Sequence, residues 1–278
     1  MALYGTEKLT PEQALKLGVF YFSLIKFPVT GAGYYEYLIK GDHVGDHDLI
    51  EVTLDELTQK IQAGEVSSFR LYNEVEGIVP WRASYGYNTD DYGRFFHLDA
   101  QSSGESSLVD YYVDLFREVS LGDFASYGIA YKAGSVSKGL SYAAGENFTS
   151  IYPFESVALF KKELPGRNKG LERYKGEQLR MVYELNLINA RHLSINVGGV
   201  PLRQWILAGN NNGKIVDITD SKAIWLVEKE QLEIINRTLG ELGVLLSWKA
   251  ATKKPFPKKY FRASRCFVLK ASFSRAHL

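Results

Sequence analysis

The sequence predicts an α+β fold: mixed α/β layers on a mostly antiparallel or mixed sheet, helices packed on one face, with two similar-sized subdomains as an option. Three observations predict it. Aromatic and β-branched runs of strand length alternate with helix-cap signatures along most of the chain. A length of 278 residues with 45% hydrophobic and 23% charged side chains is enough for a sizeable core, and excludes collagen-like, low-complexity and disordered classes. The single cysteine, Cys266, allows no intramolecular disulfide and no cysteine-rich metal site, so packing alone must hold the fold.

In order, Thr10-Pro11-Glu12-Gln13 is a capping box with proline in the first turn, predicting a short helix that stops at Gly18. Residues 19–25 are aromatic and β-branched and read as a buried strand ending before Pro28; residues 34–39 read as the next strand. Thr53-Leu54-Asp55-Glu56 opens a second capped helix to about Ala63. Strands follow around 69–72, 79–87 and 95–98. Residues 106–119 place Leu108, Tyr111, Tyr112, Leu115, Phe116 and Val119 at helical spacing. A strand at 124–131, a Gly- and Ser-rich turn or mobile loop at 132–145, and a strand breaking into a helix at Pro153 within 150–164 come next, then an exposed connection at 165–170. Further on, 179–185, 224–227 and 244–248 read as strands, 189–193 and 201–207 as short helices, and 229–239 as a helix closed by Gly240 or Gly243.

This divides the chain into an acidic, aromatic-rich α+β half (1–132), a Gly/Ser/Pro-containing connection (133–175), an α/β half (176–248) and a basic segment (249–278). The net charge of +1 conceals a strong asymmetry. After Glu241 no acid occurs, while Lys253, Lys254, Lys258, Lys259 and Arg262 lead a run of cations interleaved with Phe256, Tyr260 and Phe261. Cations mixed with aromatic rings suit a nucleic-acid backbone and its bases, although a solvated tail has the same composition. The N-terminus has no basic and apolar leader pattern and no apolar run is long enough to span a bilayer, so the chain is expected to be cytoplasmic, with no membrane partner.

Chemical motifs are sparse. Asp42-His43-Val44-Gly45-Asp46-His47-Asp48 gathers potential metal donors, but between glycines it reads as a hairpin loop, where a four-residue spacing aligns nothing. Ser135-Val136-Ser137-Lys138 matches the serine–lysine nucleophile pattern without its companion elements. Gly209-Asn210-Asn211-Asn212-Gly213-Lys214 is one residue short of a phosphate loop and reads as a turn. His97, His192 and His277 stand alone, and the sequons at Asn147 and Asn236 carry no weight without a secretion signal. No catalytic residue, no metal and no cofactor is expected. Residues 85–94 combine tyrosines, aspartates and turn formers in the manner of a contact loop, so Tyr85, Tyr87, Asp90, Asp91 and Tyr92 are the candidate partner-binding residues.

Residues 179–193, running Leu179-Arg180-Met181-Val182-Tyr183-Glu184-Leu185-Asn186 into Asn189-Ala190-Arg191-His192-Leu193, then Val197-Gly198-Gly199-Val200-Pro201-Leu202-Arg203-Gln204-Trp205-Ile206, resemble immunity proteins encoded beside bacterial polymorphic or type VI secretion toxins. The long helix from Ser107 and its following Ser126-Tyr127-Gly128-Ile129-Ala130 are similar to the same family, so the resemblance covers roughly residues 107–248. Leu187 stands where the family carries tryptophan after the asparagine. The resemblance implies a non-enzymatic protein that neutralises a cognate toxin by occluding its active site; the acidic half then favours a partner with a basic surface. The alternative is a nucleic-acid-associated protein, such as a phage or mobile-element factor, that uses the basic C-terminal segment.

Overall fold

The computed structural model describes residues 1–38, 46–76, 78–92, 94–103 and 108–249. Their elements run β1 (Ala2–Tyr4), α1 (Pro11–Leu24), β2 (Gly31–Tyr37), β3 (His47–Val52), α2 (Leu54–Gln62), β4 (Phe69–Val75), β5 (Ile78–Asn88), β6 (His97–Ser102), α3 (Leu108–Leu121) and β7 (Tyr127–Ala130). The chain continues with α4 (Val136–Ala143), α5 (Val157–Glu163), α6 (Pro165–Asn168), β8 (Leu185–Asn189), α7 (Ala190–Leu193), β9 (Asn196–Val197), β10 (Val200–Pro201), α8 (Leu202–Ala208), β11 (Lys214–Thr219), β12 (Lys222–Leu226) and α9 (Leu232–Glu241). Ten strands form one antiparallel sheet in the order β11-β12-β8-β7-β1-β6-β5-β4-β2-β3, and β9 and β10 form a separate ribbon. The fold is therefore α+β, and a single sheet runs through both halves of the chain.

The joint between the halves is β1, which pairs with β6 on one side and β7 on the other. Its three residues are fully buried and alternate between the two faces of the sheet: Leu3 enters one core with α1, α2 and α3, while Ala2 and Tyr4 enter the other. That second core is built from Tyr142 of α4, Phe160 of α5, Leu202 and Ile206 of α8, and Leu232, Ile235 and Leu239 of α9. Helices thus cover both faces, where one covered face was expected. The reason lies in the strands: β7, β8 and β12 carry apolar residues at odd and even positions alike, so neither face can be left to water.

Local chemistry explains where the helices begin and end. The Thr10 and Thr53 capping boxes form as expected, each threonine accepting from the residue three ahead. Helix α1, however, passes through Gly18 to Leu24, so the expected strand at 19–25 is its second half. Ala14, Leu15, Leu17, Gly18, Tyr21 and Phe22 are buried at helical spacing, and a side chain at Gly18 would come within 2.9 Å of Leu71 and Tyr85. Gly18 is a close-approach position against the sheet and not a stop. The expected loop at 132–145 contains α4, capped by Ser135, whose hydroxyl accepts from the Lys138 amide at 3.2 Å. The serine–lysine pattern is thereby a helix cap. The strand expected at 179–185 begins only at Leu185, the first residue of β8, and 244–248 contribute only isolated bridges, Leu179 with Leu245 and Glu155 with Trp248. The turn at 209–214 is closed by Asn212, which donates to the Trp205 carbonyl at 2.8 Å.

Candidate functional site

In the N-terminal half of the sheet, the interior strands β4, β5 and β6 bury apolar side chains on the α1 face, whereas the opposite face is polar. Arg70, Gly86 and Asp99 stand in register on these neighbouring strands. With no side chain between them, Arg70 reaches across Gly86 to Asp99 in a bidentate pair, Nη1 to Oδ1 at 2.9 Å and Nη2 to Oδ2 at 3.0 Å. A methyl group at Gly86 would press on the guanidinium and lie 2.7 Å from Asp99 Oδ2. Asn88 Nδ2 and Gln101 Nε2 donate to the same carboxylate at 3.0 and 2.9 Å, and Ser84 Oγ donates to Gln101 Oε1 at 2.6 Å. Burial works against ionisation of Asp99, but the Arg70 charge and these hydrogen bonds outweigh it and hold the carboxyl below its usual range. Burial lowers the basicity of His97, although Asp99 opposes it; Nδ1 faces the Phe95 carbonyl at 3.1 Å and the ring stacks on Phe95 at 4.2 Å.

This network is the floor of a cleft of about 380 Å³. One wall is formed by the end of α4 with α5 and α6, contributing Leu140, Glu146, Lys161 and Asn168; the other is formed by Tyr35, His47 and Tyr92. Tyr35 and Tyr37 lie on the same face of β2, and Tyr37 is directly opposite His47 on β3. Tyr92 packs against Tyr37 at 4.6 Å and Tyr35 at 5.9 Å, with His47 edge-on to Tyr92 at 5.4 Å. The Tyr37 hydroxyl donates to the Asp91 carbonyl at 2.7 Å, and Thr89 is tied to Ser68 through both its amide and its hydroxyl. The turn after β5 is therefore held in one position, with Asp90 and Asp91 exposed beside a half-exposed aromatic cluster.

The five residues expected to bind a partner separate into two groups. Tyr85 and Tyr87 face the α1 core, buried, with their hydroxyls donating to the carbonyls of Ala14 at 2.8 Å and Leu9 at 2.5 Å. Strand alternation places them opposite the cleft, away from any surface a partner could reach. Asp90, Asp91 and Tyr92 stay on the rim, joined there by Tyr35, Tyr37 and His47. His43 lies outside the described residues, as do Lys253, Lys254, Lys258, Lys259, Arg262 and His277. His192 is a structural residue: fully buried, its Nε2 meets the Tyr174 carbonyl at 2.9 Å, and its Nδ1 accepts from the Asn189 amide in a capping box. Asn236 is fully buried and bonded to Val182, so that sequon is closed.

Among the described residues, no group of three or more His, Cys, Asp or Glu side chains is placed to hold a metal ion, and no helix is long and apolar enough to cross a membrane. No family model, curated protein or solved structure matches this chain.

Proposed function

We propose that this protein is a non-enzymatic binding protein that neutralises a cognate bacterial toxin by occluding its active site, and that it docks through the acidic, aromatic rim of the cleft. The supporting observation is the rim itself: Tyr35, Tyr37, Tyr92 and His47 are interlocked by ring contacts, with Asp90 and Asp91 exposed beside them. Tyrosines already held in place supply contact area at low entropic cost, and the aspartates steer a basic partner during encounter. The resemblance of residues 107–248 to immunity proteins points the same way.

Co-expression with the product of the adjacent reading frame tests this reading. The protein should restore growth arrested by that product, and Asp90→Lys/Asp91→Lys should abolish rescue while leaving the fold intact. No rescue and no complex with that product would overturn it. The second reading, nucleic-acid association, is favoured by the uninterrupted basic character after Glu241. It predicts retardation of DNA or RNA that weakens steeply with salt and is lost on truncation after Trp248.

A further inference from the structure

The interior of the cleft has a charge pattern that the rim does not share. Three cations, Arg70, Arg94 and Lys161, and two carboxylates, Asp99 and Glu146, line it. Arg70 and Asp99 neutralise one another on the floor, with side chains 3% and 0% exposed. What remains toward solvent is Arg94 and Lys161 against the single acid Glu146. Neither cation has an ion-pair partner among the described residues; the Lys161 ammonium lies 5.5 Å over the ring of Phe148, itself exposed. Arg94 holds a left-handed backbone, φ 64°, which is uncommon for a side chain of this kind and places it where the cleft meets a second cavity beside Pro165 and Gly166. A volume of about 380 Å³ falls within the span typical of small-molecule sites, and the half-buried rings of Tyr35 and Tyr92 give it apolar surface.

We propose that the cleft binds a small organic anion, its phosphate or carboxylate group taken by Arg94 and Lys161 and its body lying along Tyr35 and Tyr92. A cationic ligand would face an excess of positive charge, and a neutral one would leave both cations uncompensated. Arginine supplies a planar fork and lysine a point charge, a pairing suited to an oxyanion. The proposal does not depend on the partner-binding reading, because it concerns the cleft interior and needs no second protein.

Isothermal titration calorimetry of the full chain with adenosine monophosphate, citrate and inorganic phosphate tests it. At least one probe should bind saturably at one site per chain with a dissociation constant below about 1 mM. Arg94→Gln and Lys161→Gln should each weaken binding by about tenfold, and Glu146→Gln should tighten it, because the one opposing acid is removed. Tighter binding of the nucleotide than of phosphate is expected from contact of its body with the aromatic wall, and equal binding would contradict that placement. All three substitutions are at half-buried or exposed positions, so unchanged thermal unfolding is expected and separates lost binding from lost folding. Absence of saturable binding by all three probes, or binding indifferent to both cation substitutions, overturns the proposal.

Discussion

Two arginines are buried on the same side of one sheet, each beside a buried carboxylate but in different surroundings. Arg70, in the N-terminal half, is neutralised by a carboxylate in a bidentate pair. Arg180, in the C-terminal half, is completely buried between the rings of Tyr142 and Phe160, at 3.7 and 3.8 Å, and donates to the Tyr4 hydroxyl and the Tyr142 carbonyl. Glu155 stands 3.6 Å from its Nε and is engaged by the Tyr142 hydroxyl. The first arrangement leaves a polar surface open to a cleft; the second closes an aromatic core and anchors α4 and α5, which form the cleft's far wall. One half of the sheet thus packs its second face into an aromatic core, while the other lines a cleft with polar side chains.

The largest expected effect is from Asp99→Asn. It leaves a guanidinium buried without its counter-charge and should cost about 3–5 kcal/mol in urea unfolding. A cost below about 1 kcal/mol would mean that the pair is not the keystone of the polar face.

Acid should destabilise the fold through the buried histidines of both halves. Burial lowers His192 to about 4 from an ordinary value of 6.5. The unfolded chain takes up a proton there below about pH 6.5, whereas the folded chain resists until about pH 4, so stability falls as pH drops across that window. The loss should reach about 3 kcal/mol, and His192→Gln should remove that part of the pH dependence; His97, also lowered by burial, contributes in the same direction. Asp99, held below its usual range, keeps its contribution until the pH falls below that of ordinary carboxyls.

Smaller effects sharpen the contrast. Gly86→Ala inserts a methyl group between Arg70 and Asp99 and should cost about 1–3 kcal/mol. Glu155→Gln should cost less than Asp99→Asn, because the contact with Arg180 is longer, at 3.6 Å, and the rings and neutral acceptors around the guanidinium persist. A loss equal to that of Asp99→Asn would show that Glu155 matters to Arg180 as much as Asp99 does to Arg70. The substitution with least effect on stability is Asp90→Lys/Asp91→Lys, at exposed positions, with a change within about 0.5 kcal/mol.

Much of the scaffold was legible in the sequence because its signals are local. The threonine caps at Thr10 and Thr53, the apolar periodicity after Leu108 and the strands in residues 69–88 needed no distant partner to be recognised. The second half of α1 was misleading because its aromatic and β-branched composition favours a strand, and only the sheet beneath shows why Gly18 must continue the helix. β1 is too short to carry a periodic signal. Within the site, Asp90, Asp91 and Tyr92 were readable as a polar turn, while the inward direction of Tyr85 and Tyr87 depends on which face of β5 meets α1. Arg70 and Asp99 are separated by 29 positions, so no motif joins them. Each does leave a trace, as a lone charge between apolar neighbours in a strand: Phe69 and Leu71 around Arg70, Leu98 and Ala100 around Asp99. The spacing of Tyr35 and Tyr37, two apart in a strand, likewise put both on one face.

We propose that a partner docks on the rim built from β2, β3 and the turn after β5. Hydrogen–deuterium exchange of the protein alone and bound to the product of the adjacent reading frame measures this directly. Slowed exchange in the complex at residues 34–37, 47–52 and 90–92 is the predicted result; unchanged exchange there, with protection confined to α8, β11 or α9 instead, would contradict it.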